Sequence, residues 1–137
     1  MAKRRSTARR LAVAMARVCA ENRCRDVAVL DLRKLSPVTD FFVVATGTSA
    51  RQMRAASRRV VEAGKELGDK PFGVEGVDSS GGADDARWLL VDYVNVVVHV
   101  FTDESRTYYD LDLLWGDATR IDWKRGWKPR DTDDETG

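Results

Sequence analysis

An α/β (α+β) domain, one sheet of about five strands packed by helices, is the fold that this sequence predicts. Three observations predict it. The chain has 137 residues, enough for one core and too few for two comfortable domains. Its hydrophobic spacing reads helix, strand, strand, helix, strand, strand, strand, helix in order. Two valine-rich runs near residue 95 are separated by only two residues, which makes them partners in a hairpin.

The elements follow in order. From Thr7 to Glu21, Leu11, Met15 and Val18 share one helical face, with Ala14 and Cys19 beside them. Asp26 to Leu32 is a short strand. Ser36-Pro37 breaks the chain, and Phe41 to Thr46 is apolar on both faces, as suits a strand covered above and below. Ser49 lies three residues before Gln52, the spacing of a capping box. The helix it opens buries Met53, Ala56, Val60, Gly64 and Leu67, and Gly68 closes it in a left-handed conformation. Pro71 to Gly76 is a strand near a sheet edge, and Val77 to Ala86 is a glycine-rich polar loop. Trp88 to Tyr93 and Val96 to Phe101 form the hairpin, with Asn95 expected to take a positive φ. Asp103 to Leu114 makes one or two short helices. We divide the chain into a basic arm (1–10), a folded domain (11–116) and a charged tail (117–137) expected to be mobile.

Composition narrows the function. Hydrophobic residues make up 43% and charged residues 33%, with a formal net charge of +1, so no large one-sided field is available and any nucleic-acid affinity must come from local patches. No apolar run reaches the roughly 20 residues that cross a bilayer. The basic start with its short apolar stretch is interrupted by Arg17 and reads as an amphipathic helix, not a secretory signal, so a cytoplasmic address and no membrane partner are expected. Cys19 and Cys24 are too few for a zinc site, and the single histidine, His99, is remote in sequence; buried thiols, no metal and no cofactor are the reading.

The hairpin has two faces. If Tyr93 opposes Val96, then Leu89, Val91, Tyr93, Val96, Val98 and Val100 share one apolar face. The other pairs Trp88 with Phe101, Leu90 with His99, and Asp92 with Val97. A helix could cover that second face, with Asp92 and His99 hydrogen-bonded to each other or to backbone. Alternatively, its aromatics beside a few polar groups suit a protein-docking patch.

Five blocks then fall into a familiar order: VTDFFVVATGTSARQM (38–53), FGVEG (72–76), WLLVDY (88–93), VVVHVF (96–101) and ESRTYYDLDLLW (104–115). The chain resembles the Iojap family of ribosomal silencing factors from about Leu11 to Trp115. The resemblance implies a mixed sheet flanked by helices, similar to the nucleotidyltransferase fold without its catalysis. It also implies binding to the L-fourteen-type protein of the large ribosomal subunit, on the surface that meets the small subunit, so that subunit joining is blocked and translation repressed. Matching the family's motif gives Trp88, Asp92, His99, Tyr109, Leu111, Leu114 and Trp115 as partner-binding residues, to which the hairpin's aromatic face adds Phe101; the free protein is expected to be a monomer or homodimer. Three positions depart from the family pattern. Gln52 stands where histidine is usual, Val94-Asn95 where a Gly-Asp turn is common, and the loop from Asp78 to Arg87 is longer.

A nucleotidyltransferase-like enzyme acting on a nucleotide or nucleic acid is the alternative. It needs a phosphate loop and clustered carboxylates for metal ions. Thr46 to Ser49 could hold an anion at a helix start, but capping by Ser49 and Gln52 explains it. Asp110 and Asp112 are two apart in a helix and do not face each other. One histidine leaves little acid–base chemistry, so the protein is read as a non-enzyme. Arg51, Arg54, Arg58 and Lys65 recur on one helix face, and with the basic arm they offer an auxiliary contact to ribosomal RNA.

Overall fold

Thr7 begins the first helix, its Oγ1 accepting the Arg10 N–H at 3.2 Å, and α1 (Ala8–Glu21) buries Leu11, Ala12, Met15, Ala16 and Cys19. The computed structural model describes residues 7–77 and 86–128; the expected arm before Thr7, the loop at 78–85 and the end of the tail lie outside them. Strands β1 (Arg25–Asp31) and β2 (Phe41–Thr46) pair antiparallel, with a register shift between Arg25 and Ala28.

Helix α2 (Ala50–Glu66) starts as expected at Ser49, whose Oγ accepts the Gln52 N–H at 3.1 Å. The reciprocal half of the box is displaced by one residue: Gln52 Oε1 accepts from Thr48 N–H at 2.9 Å. The helix buries Met53, Ala56, Ser57, Val60 and Gly64, and Gly68 beyond it has φ 85°. Gly64 has a steric reason to be glycine, since a Cβ there would lie 2.2 Å from the Tyr93 hydroxyl.

Strands β3 (Gly73–Val77), β4 (Trp88–Asp92) and β5 (Val96–Phe101) complete most of the sheet. The hairpin register is the expected one: Trp88 opposes Phe101, Leu90 opposes His99 and Asp92 opposes Val97. Its turn is not. Val94, rather than Asn95, takes the positive φ (72°). Asn95 N–H donates to the Tyr93 carbonyl at 2.9 Å, which makes a tight three-residue turn. The Asp92 carboxylate stabilises it by accepting the Val94 N–H at 2.7 Å.

Helices α3 (Asp103–Tyr109) and α4 (Leu111–Leu114) follow. A sixth strand, β6 (Thr119–Arg120), pairs with Leu30 and Asp31. The sheet order is β3-β4-β5-β2-β1-β6, with β2 and β5 parallel and all other neighbours antiparallel. The sheet is therefore mixed, with six strands instead of about five.

Residues beyond 117 make contacts of their own. Trp123 is buried, and its indole N–H donates to the Val27 carbonyl at 2.9 Å. Arg17 donates to the carbonyls of Trp123 and Arg125 at 3.0 and 3.2 Å. Residues 117–128 thus pack on the domain. A two-residue strand and a lone tryptophan carry no periodicity from which to read this.

Two apolar layers flank the sheet. On one face, α1 and α2 cover Val43, Ala45, Val91, Val98 and Val100; on the other, Leu111 packs with Ala28, Leu30, Val44 and Phe101.

Candidate docking face

The second face of the sheet carries the aromatic residues, and among the described residues only the short helices α3 and α4 lie over it. Strand alternation puts Trp88, His99 and Phe101 on this side of the hairpin, and the parallel pairing of β2 with β5 adds Phe42. The rings form a continuous run. Trp115 meets Phe42 edge-on at 6.1 Å between centroids, Phe42 meets His99 at 4.4 Å, and Trp88 lies 5.7 Å from His99 and 4.6 Å from Tyr109. Trp88 also stacks on Phe101 at 4.8 Å.

Burial separates floor from rim. Phe101 is 0% exposed and Leu111 is buried, so both support the face from beneath. Trp88, Tyr109, Trp115 and Phe42 are half-buried. Leu113 and Leu114 on α4 are 77% and 70% exposed, and Tyr108, edge-on to Tyr109, is 81% exposed. Exposed apolar side chains at the margin of an aromatic strip are the composition of a protein contact surface. Asp92 is half-buried and tied to the Val94 turn; it makes no bond to His99.

His99 is the polar centre of the strip. Its Nδ1 accepts the Trp88 indole N–H at 3.1 Å. Burial pushes its pKa down to about 3, so the ring is neutral near pH 7. With Nδ1 accepting, the ring proton sits on Nε2. That buried nitrogen has no partner among the described residues. An unpaired buried donor costs about 1–3 kcal/mol until an acceptor reaches it.

A charged network fixes α3 and α4 over the sheet. Asp110, at φ 45°, ends α3 and caps α4 by accepting the Leu113 N–H at 3.2 Å. Arg106 pairs with Asp112 at 3.2 Å, donates to Thr46 Oγ1 at 3.0 Å, and bonds the Asp26 carbonyl. Arg120 reaches the same Asp112 at 3.0 Å. Burial alone would raise the Asp112 pKa, but the hydrogen bonds and charges of Arg106 and then Arg120 hold it below the usual carboxylate range. The two aspartates weighed as a catalytic pair are therefore a helix cap and an ion-pair partner. No group of three or more metal-ligating side chains gathers among the described residues.

Arg51, Arg54, Arg58 and Lys65 project from α2, in the helical layer on the opposite side of the sheet from the aromatic strip. Arg54 and Arg58, with Val61, Val74 and Glu75, line a cleft of about 510 Å³ between α2 and β3.

Phe42, Tyr108 and Leu113 belong to this face although the sequence did not mark them. Phe42 is placed by a parallel pairing that no local pattern announces. The exposure of Leu113 follows from the Asp110 break between α3 and α4, for which an aspartate ahead of LDLL was the available signal.

These elements define a class: a small mixed-sheet α/β domain with one aromatic, incompletely covered face. Among the described residues no helix is long and apolar enough to cross a membrane. The family model described as ribosomal silencing factor during starvation matches residues 5–136. The chain is 39% identical over 107 residues to the ribosomal silencing factor RsfS of Bacillus subtilis (strain 168), covering 78% of this chain and 86% of that protein. A crystal structure of a Chromobacterium violaceum protein superposes with a TM-score of 0.72 at 32% identity, covering 81% of this chain and 88% of that one. A mouse protein named mitochondrial assembly of ribosomal large subunit protein 1 is 35% identical over 98 residues, 69% of this chain and 40% of its own length. The chain belongs to the Iojap/ribosomal silencing factor family.

Proposed function

We propose that this protein acts in the cytoplasm by docking its aromatic face on the large ribosomal subunit, against the L-fourteen-type protein, and that its bulk then keeps the small subunit away and represses translation. One observation carries the placement of the interface. The strip of Trp88, His99, Tyr109 and Trp115 is half-buried, bordered by exposed Leu113 and Leu114, and centred on a buried histidine donor that has no partner among the described residues. The half-buried aromatic rings of the strip would serve as anchors that exclude water at the contact. Family membership and the mouse relative's name support the large subunit as the target. Obstruction needs no catalysis and no cofactor; occupancy follows from affinity and concentration.

The basic residues of α2 face away from the strip, so they would meet ribosomal RNA only where it wraps past the docked domain. Their contribution is auxiliary and weakens with salt. Co-sedimentation with purified large subunits tests the placement. Tyr109→Ala and Leu114→Asp, checked for wild-type melting, are expected to weaken binding by about thirtyfold or more, equivalent to roughly 2 kcal/mol. Folded variants that bind as the wild type does would remove the interface from this face.

A further inference from the structure

Cys19 and Cys24 take no part in the docking face. Cys19 lies on the buried side of the last turn of α1, and the chain turns back through Asn22 and Arg23, the latter at φ 70°. This turn brings Cys24 back over the end of α1: the Cys24 N–H donates to the Cys19 carbonyl at 3.0 Å. A third group converges on them. Gln52 Nε2 lies 3.5 Å from the Cys24 sulfur and donates to the Asn22 carbonyl at 2.6 Å, while its Oε1 is held by the Thr48 N–H. Both cysteines are free, buried thiols, Cys19 at 0% exposure and Cys24 at 8%, so Cys24 is the more accessible of the two.

We propose that Cys24 is a modification site for peroxides, with Cys19 as its resolving thiol, so that the pair closes reversibly into an intramolecular disulfide between the end of α1 and the start of β1. The two sulfurs are not equivalent. The hydrogen bond from Cys19 draws the Cys24 pKa down to about 7 against the opposing effect of burial, and the Gln52 amide adds to the lowering. The same contact, then burial, pushes Cys19 well up. Cys24 is therefore the thiolate, the form that attacks, and Cys19 holds its proton toward it. The charged neighbours in the chain are Arg23 and Arg25, both exposed, and Arg25 is paired with Asp103 at 2.6 Å.

The chemistry closes. The Cys24 thiolate attacks one peroxide oxygen; the O–O bond breaks, a sulfenic acid forms on Cys24, and the departing hydroxide takes a proton from solvent. Cys19 then loses its proton and attacks the Cys24 sulfur. The S–S bond forms, the S–O bond breaks and water leaves. Two thiols are oxidised by two electrons, and hydrogen peroxide is reduced to two waters. Bond closure draws the sulfurs to about 2.05 Å, a movement that falls on the Asn22–Arg23 turn.

The test treats the reduced, folded protein with hydrogen peroxide, then counts thiols in denaturant and measures the intact mass. The expected result is loss of both thiols, a mass lower by two hydrogens, a Cys19–Cys24 linked peptide, and full reversal by dithiothreitol. Cys19→Ser should stop at a sulfenic acid on Cys24 that dimedone traps, and Cys24→Ser should leave Cys19 unreacted at the same dose. The wild-type rate should rise through pH about 7. Retention of both thiols, a disulfide formed only between molecules, equal reactivity of Cys19 in Cys24→Ser, or a rate that rises only near the ordinary thiol pKa of about 8.5 would each overturn the proposal.

Discussion

Acidification should weaken the fold through His99 before the carboxylates contribute. In the fold its pKa is pushed to about 3 by burial, against an ordinary value of 6.5. The folded imidazole therefore refuses a proton that the unfolded chain accepts between these values. Stability is fully present above pH 6.5, declines as the pH falls at about 1.4 kcal/mol per pH unit, and levels off near pH 3. Between pH 6.5 and 4.5 the loss amounts to roughly 2–2.5 kcal/mol, a large fraction of a typical 5–15 kcal/mol. Carboxylates add little above pH 4.5: the stability that Asp31 and Asp112 gain from their arginines is lost only as the pH falls through and below the ordinary carboxylate value of 3.8. Protonation also removes the acceptor for the Trp88 indole N–H. Urea unfolding of the wild type and of His99→Gln at pH 6.5, 5.5 and 4.5 measures the effect. The wild type should lose stability over the range and the variant should not. Parallel loss in both proteins, or an NMR titration of the His99 ring near pH 6.5, would refute this reasoning.

Three further outcomes follow from packing. Gly64→Ala sets a methyl group 2.2 Å from the Tyr93 hydroxyl and should cost about 1–3 kcal/mol by urea unfolding. Adding Tyr93→Phe should recover only part, because ring carbons stay within 2.8 and 3.0 Å. Arg106→Ala leaves Asp112 with Arg120 alone and cuts the ties to Thr46 and Asp26; a loss of about 2–3 kcal/mol is expected, with weaker large-subunit binding as α4 is released. Trp123→Ala removes a buried ring and its bond to Val27, so it should cost about 3 kcal/mol; a melting temperature unchanged from wild type would show that residues 117–128 do not support the domain.

What the sequence made legible was whatever local periodicity controls. The hairpin register could be read because a two-residue gap between alternating runs leaves one pairing that keeps Leu89, Val91, Val98 and Val100 together. Ser49 announced α2 because capping is a local bond. The rest depends on contacts distant in sequence. Parallel pairing of β2 with β5 put Phe42 beside His99, although FFVVAT alone indicates only burial on both faces. The split between floor and rim depends on where α3 and α4 settle, which Arg106 sets through Thr46 and Asp26, 60 and 80 residues away. Strain hid the turn: a β-branched residue is the last expected at φ 72°, and Asp92 supplies the compensating bond. The thiol pair was read as inert core because neither the turn that folds Cys24 back onto Cys19 nor the approach of Gln52, 28 residues distant, has a signature in the local pattern.

The most direct measurement is a subunit-joining assay by sucrose-gradient sedimentation, with purified subunits and the protein added over a range of concentrations. Complete ribosomes should decline as the protein saturates the large subunit, with Trp88→Phe close to wild type and Tyr109→Ala displaced to about thirtyfold higher concentration. Undiminished joining at saturating occupancy of the large subunit would contradict obstruction as the mode of action.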